Sequence, residues 1–119
     1  MIKKASGLFQ KEDHKARHKY LRKELTEGRI TELSVFPKMK VGPARIPYTP
    51  AFSYRANSGE MIYEDFKGNT EGRMLRAIKK MWRLWGDGKL QVIWMKGDEF
   101  KVTQYVYPEN DDGDIEGNR

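Results

Sequence analysis

Between Tyr48 and Gly68 the chain reads YTPAFSYRANSGEMIYEDFKG, two β-prone runs around the turn formers Asn57, Ser58 and Gly59. That spacing constrains the fold more than any other feature, because it commits the middle of the chain to an antiparallel hairpin. The first strand is expected at Pro50–Tyr54, joined by residues 55–60 to a second over Met61–Lys67. Strand alternation sets Met61, Tyr63, Asp65 and Lys67 on one face and Ile62, Glu64 and Phe66 on the other. Asp65 and Lys67 would then stand roughly 6 to 7 Å apart, close enough for a carboxylate-bound cation and an ammonium group to act on one phosphate. Folding back brings residue 51 near Asp65.

Pro50 at the head of one strand and Asp65-Phe66-Lys67 on the next resemble the PD-(D/E)xK nucleases. The text YTPxF, a spacer and acid-x-Lys-Gly is similar to phage-encoded Holliday-junction-resolving endonucleases of the endonuclease I type. An acid-x-Lys by itself is common on solvated hairpins; the conjunction of Pro50, Phe52, Asp65, Lys67, Gly68 and a following basic helix carries the resemblance. It implies an α/β fold with a restriction-endonuclease-like core, a mixed β-sheet flanked by helices. It also implies an Mg²⁺- or Mn²⁺-dependent endodeoxyribonuclease that resolves four-way junctions as a two-fold dimer in the host cytoplasm. Lys67 would orient the attacking water, and Asp65 with the backbone carbonyl of Phe66 would hold the metal.

The family's Asp is Ala51 in this chain. A hard cation wants carboxylate oxygens, and a methyl group supplies none. Weak metal binding and little or no cleavage are therefore expected, as in a catalytically inactivated form. Two other readings remain open: a non-catalytic DNA junction-binding protein, and a general nicking or restriction-like phage nuclease. The first helix of such resolvases contributes a further carboxylate near an E-A-R-like segment. Here that segment is Lys15-Ala16-Arg17, leaving Glu12, Asp13 or Glu24 as substitutes.

Of the 23 bases and 17 acids, 22 bases and 12 acids lie in residues 1–107, a net charge of +10. Such an excess favours a polyanionic partner. Basic residues cluster twice. Lys15, Arg17 and Lys19 sit on an expected helix from Lys11 to Glu27, whose apolar stripe is Ala16, Tyr20, Leu21 and Leu25 and which Gly28 stops. His14 and His18 on the same helix read as exposed or DNA-facing rather than as a metal pair. The second cluster is Arg73, Arg76, Lys79, Lys80 and Arg83, on the polar side of a helix whose apolar side is Met74, Leu75, Ile78, Met81, Trp82 and Trp85. Asn69-Thr70-Glu71 offers its cap. A charged helix face is ordinarily just solvated, but its position after the motif strand argues for phosphate contact.

Ile30–Val35 and Lys38–Val41 read as a bent edge strand, followed by a connector punctuated by Pro43 and Pro47. Leu90–Met95 and Phe100–Tyr107 read as closing strands, with all three tryptophans in the core. The expected organisation is one nuclease-like domain over 1–107 and an acidic disordered tail over 108–119. With no cysteine, thiolate metal sites and disulfides are excluded. No apolar run is long enough for a membrane span and no small-molecule cofactor motif is present, so a cytoplasmic protein is expected.

Overall fold

The central turn forms as its residues require: Gly59 adopts φ +95° and donates its N–H to Ala56, while Ala56 donates to Glu60. On either side lie two strands that pair antiparallel, Phe52 with Glu64 through Arg55 with Met61. A computed structural model of the chain describes residues 12–67, 70, 72–96 and 99–108. The acidic segment expected to be disordered falls outside them, apart from Pro108.

In chain order the elements are α1 (Glu12–Thr26), β1 (Ile30–Val35), β2 (Met39–Val41), β3 (Ile46–Tyr48), β4 (Phe52–Ala56), β5 (Met61–Phe66), α2 (Gly72–Trp85), β6 (Lys89–Lys96) and β7 (Glu99–Val106). Five strands form one mixed sheet in the order β1-β4-β5-β6-β7, and β2 with β3 makes a separate two-stranded ribbon. β5 and β6 run parallel, so α2 is the crossover between them. Among the described residues the fold is thus α/β, with a mixed five-stranded sheet and two helices.

Each helix covers its own apolar cluster. On the α1 side Leu21 packs with Ile30, Ala51, Phe52, Tyr54, Ile62, Phe66 and Ile93. On the α2 side Ile78 and Trp82 pack with Val41, Tyr48, Tyr63, Leu90 and Val106. α1 ends in a Schellman motif: Arg29 N–H donates to the Glu24 carbonyl, Gly28 N–H to that of Leu25, with Gly28 at φ +79°. β1, the edge strand, carries a register shift between Thr31 and Ser34, where Glu32 takes φ +58°. That bulge bends the exposed edge.

Several sequence expectations are corrected. The first hairpin strand starts at Phe52 rather than Pro50 and runs on to Ala56. The connector holding Pro47 is partly the strand β3, which pairs antiparallel with β2. A two-stranded ribbon has an open side on which a proline loses no ladder bond. On α1 the buried stripe is His14, Arg17 and Leu21; Tyr20 and Leu25 are about 40% exposed, because the ion pair described below turns the helix toward Arg17. Trp82 is core and donates its indole N–H to the Gly88 carbonyl at 2.8 Å, whereas Trp85 and Trp94 are exposed. Trp85 lies at the end of its helix, and Trp94 stands opposite the exposed edge residue Lys101. The Asn69-Thr70-Glu71 cap lies outside the described residues except for Thr70.

Candidate nucleic-acid interface

Asp65 is 1% exposed and its carboxylate is already engaged. Oδ2 accepts from the Tyr48 hydroxyl at 2.8 Å and from the Thr70 hydroxyl at 2.7 Å, and Oδ1 accepts from the Phe66 N–H at 3.0 Å. Burial, reinforced by the Asp65 charge, raises the Tyr48 phenol far above its ordinary value, so Tyr48 stays a donor. β3 therefore presents its buried tyrosine to the motif strand.

Ala51 is fully buried. Its N–H donates to the Glu64 carbonyl at 2.8 Å, although Phe52 is the residue paired with Glu64. Two successive residues thus face one, as in a β-bulge. The bulge lets Ala51 and Phe52 both join the α1-side cluster, while Asp65 bonds Tyr48 of the α2-side cluster. The backbone of residue 51 thus meets the motif strand at Glu64, next to Asp65.

The carboxylates proposed to complete a metal site do not join it. Glu12 pairs with Lys15 at 3.4 Å, Asp13 is exposed on α1, and Glu24 accepts from Arg29 Nη2 at 2.8 Å and Nε at 2.9 Å. Among the described residues no three His, Cys, Asp or Glu side chains converge. With its oxygens shared among three donors and a methyl group at 51, the site lacks the open oxygen cradle that Mg²⁺ requires. Among the described residues the donor set does not fit the ion.

The histidines also differ from expectation. His14 is buried, its ring 4.3 Å from that of Phe66, and His18 stacks on Phe52 at 5.9 Å. Partial burial, with help from Arg22, lowers the His18 pKa. Both rings serve the α1 packing.

Arg17, expected at a nucleic-acid surface, is 4% exposed and cannot reach one. Its guanidinium grips the fully buried Glu64 through Nε at 2.9 Å and Nη2 at 2.6 Å. Glu64 also accepts from the Tyr54 hydroxyl and from Gln91 Nε2 at 2.9 Å. Burial opposes the Arg17 charge, but hydrogen bonding and attraction from Glu64 outweigh it and hold its pKa above the ordinary value. Sequence reasoning missed Glu64, Tyr54 and Gln91. The available signal was an acid sharing the inward strand face with Ile62 and Phe66.

Lys67, by contrast, is exposed at the end of β5. It opens onto a cleft of about 540 Å³ lined by Lys67, Leu75, Arg76, Lys79, Thr103 and Gln104, with Gly72 and Val92 completing the wall. Val92 is the residue paired with Asp65, so the cleft lies directly beside the motif strand. Lys79 Nζ is held by Gln104 Oε1 at 2.7 Å. Arg83, one heptad after Arg76, extends the same flank, and Arg73 and Lys80 share the adjacent stripe. All four arginine and lysine side chains of those two stripes are exposed. Lys15 and Lys19 are exposed too, but on α1 across the sheet, and do not line the cleft.

No family model, curated protein or solved structure matches this chain. The site must therefore be read from its own chemistry. Three cations around a solvated cleft, one of them clamped by an amide, suit phosphate groups of a polyanion.

Proposed function

We propose that this chain is a structure-selective DNA-binding protein on a restriction-endonuclease-like core, an endonuclease of the Holliday-junction-resolving type in a form disabled for cleavage. The observation that carries the reading is the cleft of Lys67, Arg76 and Lys79 beside the Asp65 strand. The element order supports it: a helix, an antiparallel run containing the motif hairpin, a crossover helix and a parallel strand are the parts that the resemblance implies. The engaged Asp65 and buried Ala51 favour binding without chemistry over an active Mg²⁺-dependent enzyme. Lys67 then serves as a phosphate contact. A two-fold dimer would match the symmetry of a four-way junction.

The test is to incubate a labelled four-way junction, and a linear duplex of equal length, with the protein in Mg²⁺ and in Mn²⁺. The junction should be bound more tightly and both substrates should remain uncut. Cleavage in either metal would restore the active-enzyme reading, and equal affinities would favour general duplex binding.

A further inference from the structure

On the α1 side of the sheet, beyond the helix, four aromatic side chains lie open: Tyr20 at 41%, Phe100 at 36%, Tyr105 at 54% and Tyr107 at 49% exposure. Their placement follows from the pairing. Tyr105 is opposite Gln91, whose amide points at Glu64 beneath α1, and Tyr107 shares its face two residues on. Phe100 reaches the same side because the register shift between Val92 and Ile93 resets the alternation; its ring covers the Arg17 guanidinium at 3.9 Å. Tyr20 closes on Phe100 at 5.1 Å. Tyr105 and Tyr107 lie nearly parallel, with an interplanar angle of 18° and centroids 6.4 Å apart.

Among the described residues two lysines flank this shelf. Lys89 Nζ sits 4.7 Å from the Tyr105 ring, and Lys23, three residues after Tyr20, is an exposed neighbour on the helix. The nearby acid Glu24 is already held by Arg29. Glu99 precedes Phe100 and is the one exposed acid on that edge strand. Two copies meeting through this face would bring lysines against lysines, whereas a polyanion would be drawn to them. Flat rings with basic neighbours match what unpaired bases recognise: a stacking surface, indifferent to sequence, beside charges for the backbone.

We infer that the Tyr105–Tyr107 shelf, with Phe100 and Tyr20, stacks the unpaired bases of a nucleic-acid strand. This rests on the DNA-binding reading and deepens it, since bases become accessible where a duplex branches or opens. The cleft on the α2 side holds phosphate irrespective of pairing, and the shelf discriminates.

Fluorescence anisotropy with a labelled oligothymidylate and a labelled blunt duplex tests the inference on three double variants. Tyr105→Ala with Tyr107→Ala should weaken oligothymidylate binding about tenfold or more and leave the duplex unchanged. Tyr105→Phe with Tyr107→Phe should bind as the parent does, because the rings remain. Arg76→Ala with Lys79→Ala should weaken both probes together. If the alanine pair binds oligothymidylate like the parent while duplex binding persists, the shelf inference falls and the cleft reading stands. If neither probe binds the parent protein, both fall. Should the alanine pair instead convert a dimer to a monomer in sedimentation with affinities unchanged, the shelf is a contact between copies.

Discussion

Replacing Glu64 by Gln removes one charge from a side chain that is fully buried and accepts from Arg17, Tyr54 and Gln91. The shape is nearly kept, but the Arg17 guanidinium is left 4% exposed with no anion, and an amide hydrogen must now face one of the donors. Breaking a buried ion pair from one side costs about 3–5 kcal/mol, a large part of the roughly 5–15 kcal/mol that holds a domain folded. With a urea dependence of about 1.5 kcal/mol per molar, the unfolding midpoint should fall by about 2–3 M. Removing both charges together, Arg17→Met with Glu64→Leu, should recover part of the loss, since no uncompensated ion remains, while Tyr54 and Gln91 lose their acceptor. Urea unfolding followed by tryptophan fluorescence gives all the midpoints. A midpoint shift below about 0.5 M for Glu64→Gln would refute the buried pair.

Tyr48→Phe removes a donor from the buried Asp65 carboxylate and should cost about 1.5–3 kcal/mol in the same assay. At Gly88 an added Cβ would lie 2.3 Å from the Met61 carbonyl oxygen, so Gly88→Ala must displace β5 and should lower Tm by roughly 5–20 °C in calorimetry. Ala51→Asp places a carboxylate in the apolar α1-side cluster and should destabilise by about 2 kcal/mol or more, with no recovery on adding Mg²⁺. A Mg²⁺-dependent rise in Tm would mean that residue 51 does reach a metal site with Asp65.

The hairpin and the amphipathic α2 were legible because local chemistry decides them: turn formers at Asn57–Gly59, and apolar spacing ending in Ile78 and Trp82. The basic cleft was half legible. Arg76 and Lys79 were visible as a helix face, but Thr103 and Gln104 reach it only through the pairing of β7 with β6. Arg17 was misplaced because a cation among lysines looks like surface, and only the distant Glu64 makes its burial affordable. The orientation of Ala51 depends on a bulge, a one-residue irregularity that strict alternation does not anticipate. Asp65 was correctly placed on the face of Tyr63; that Tyr48 would cap it depended on β3, which the prolines concealed.

In the proposed function, phosphates enter the cleft formed by Lys67, Arg76 and Lys79. The most direct measurement is the affinity for a labelled four-way junction across a series of salt concentrations, for the parent and for Arg76→Ala with Lys79→Ala. Each lost phosphate contact flattens the plot of log affinity against log salt by about 0.9. Phosphate contact by both side chains predicts weaker binding and a slope shallower by nearly 2 for the double variant. Unchanged affinity with an unchanged slope would contradict it.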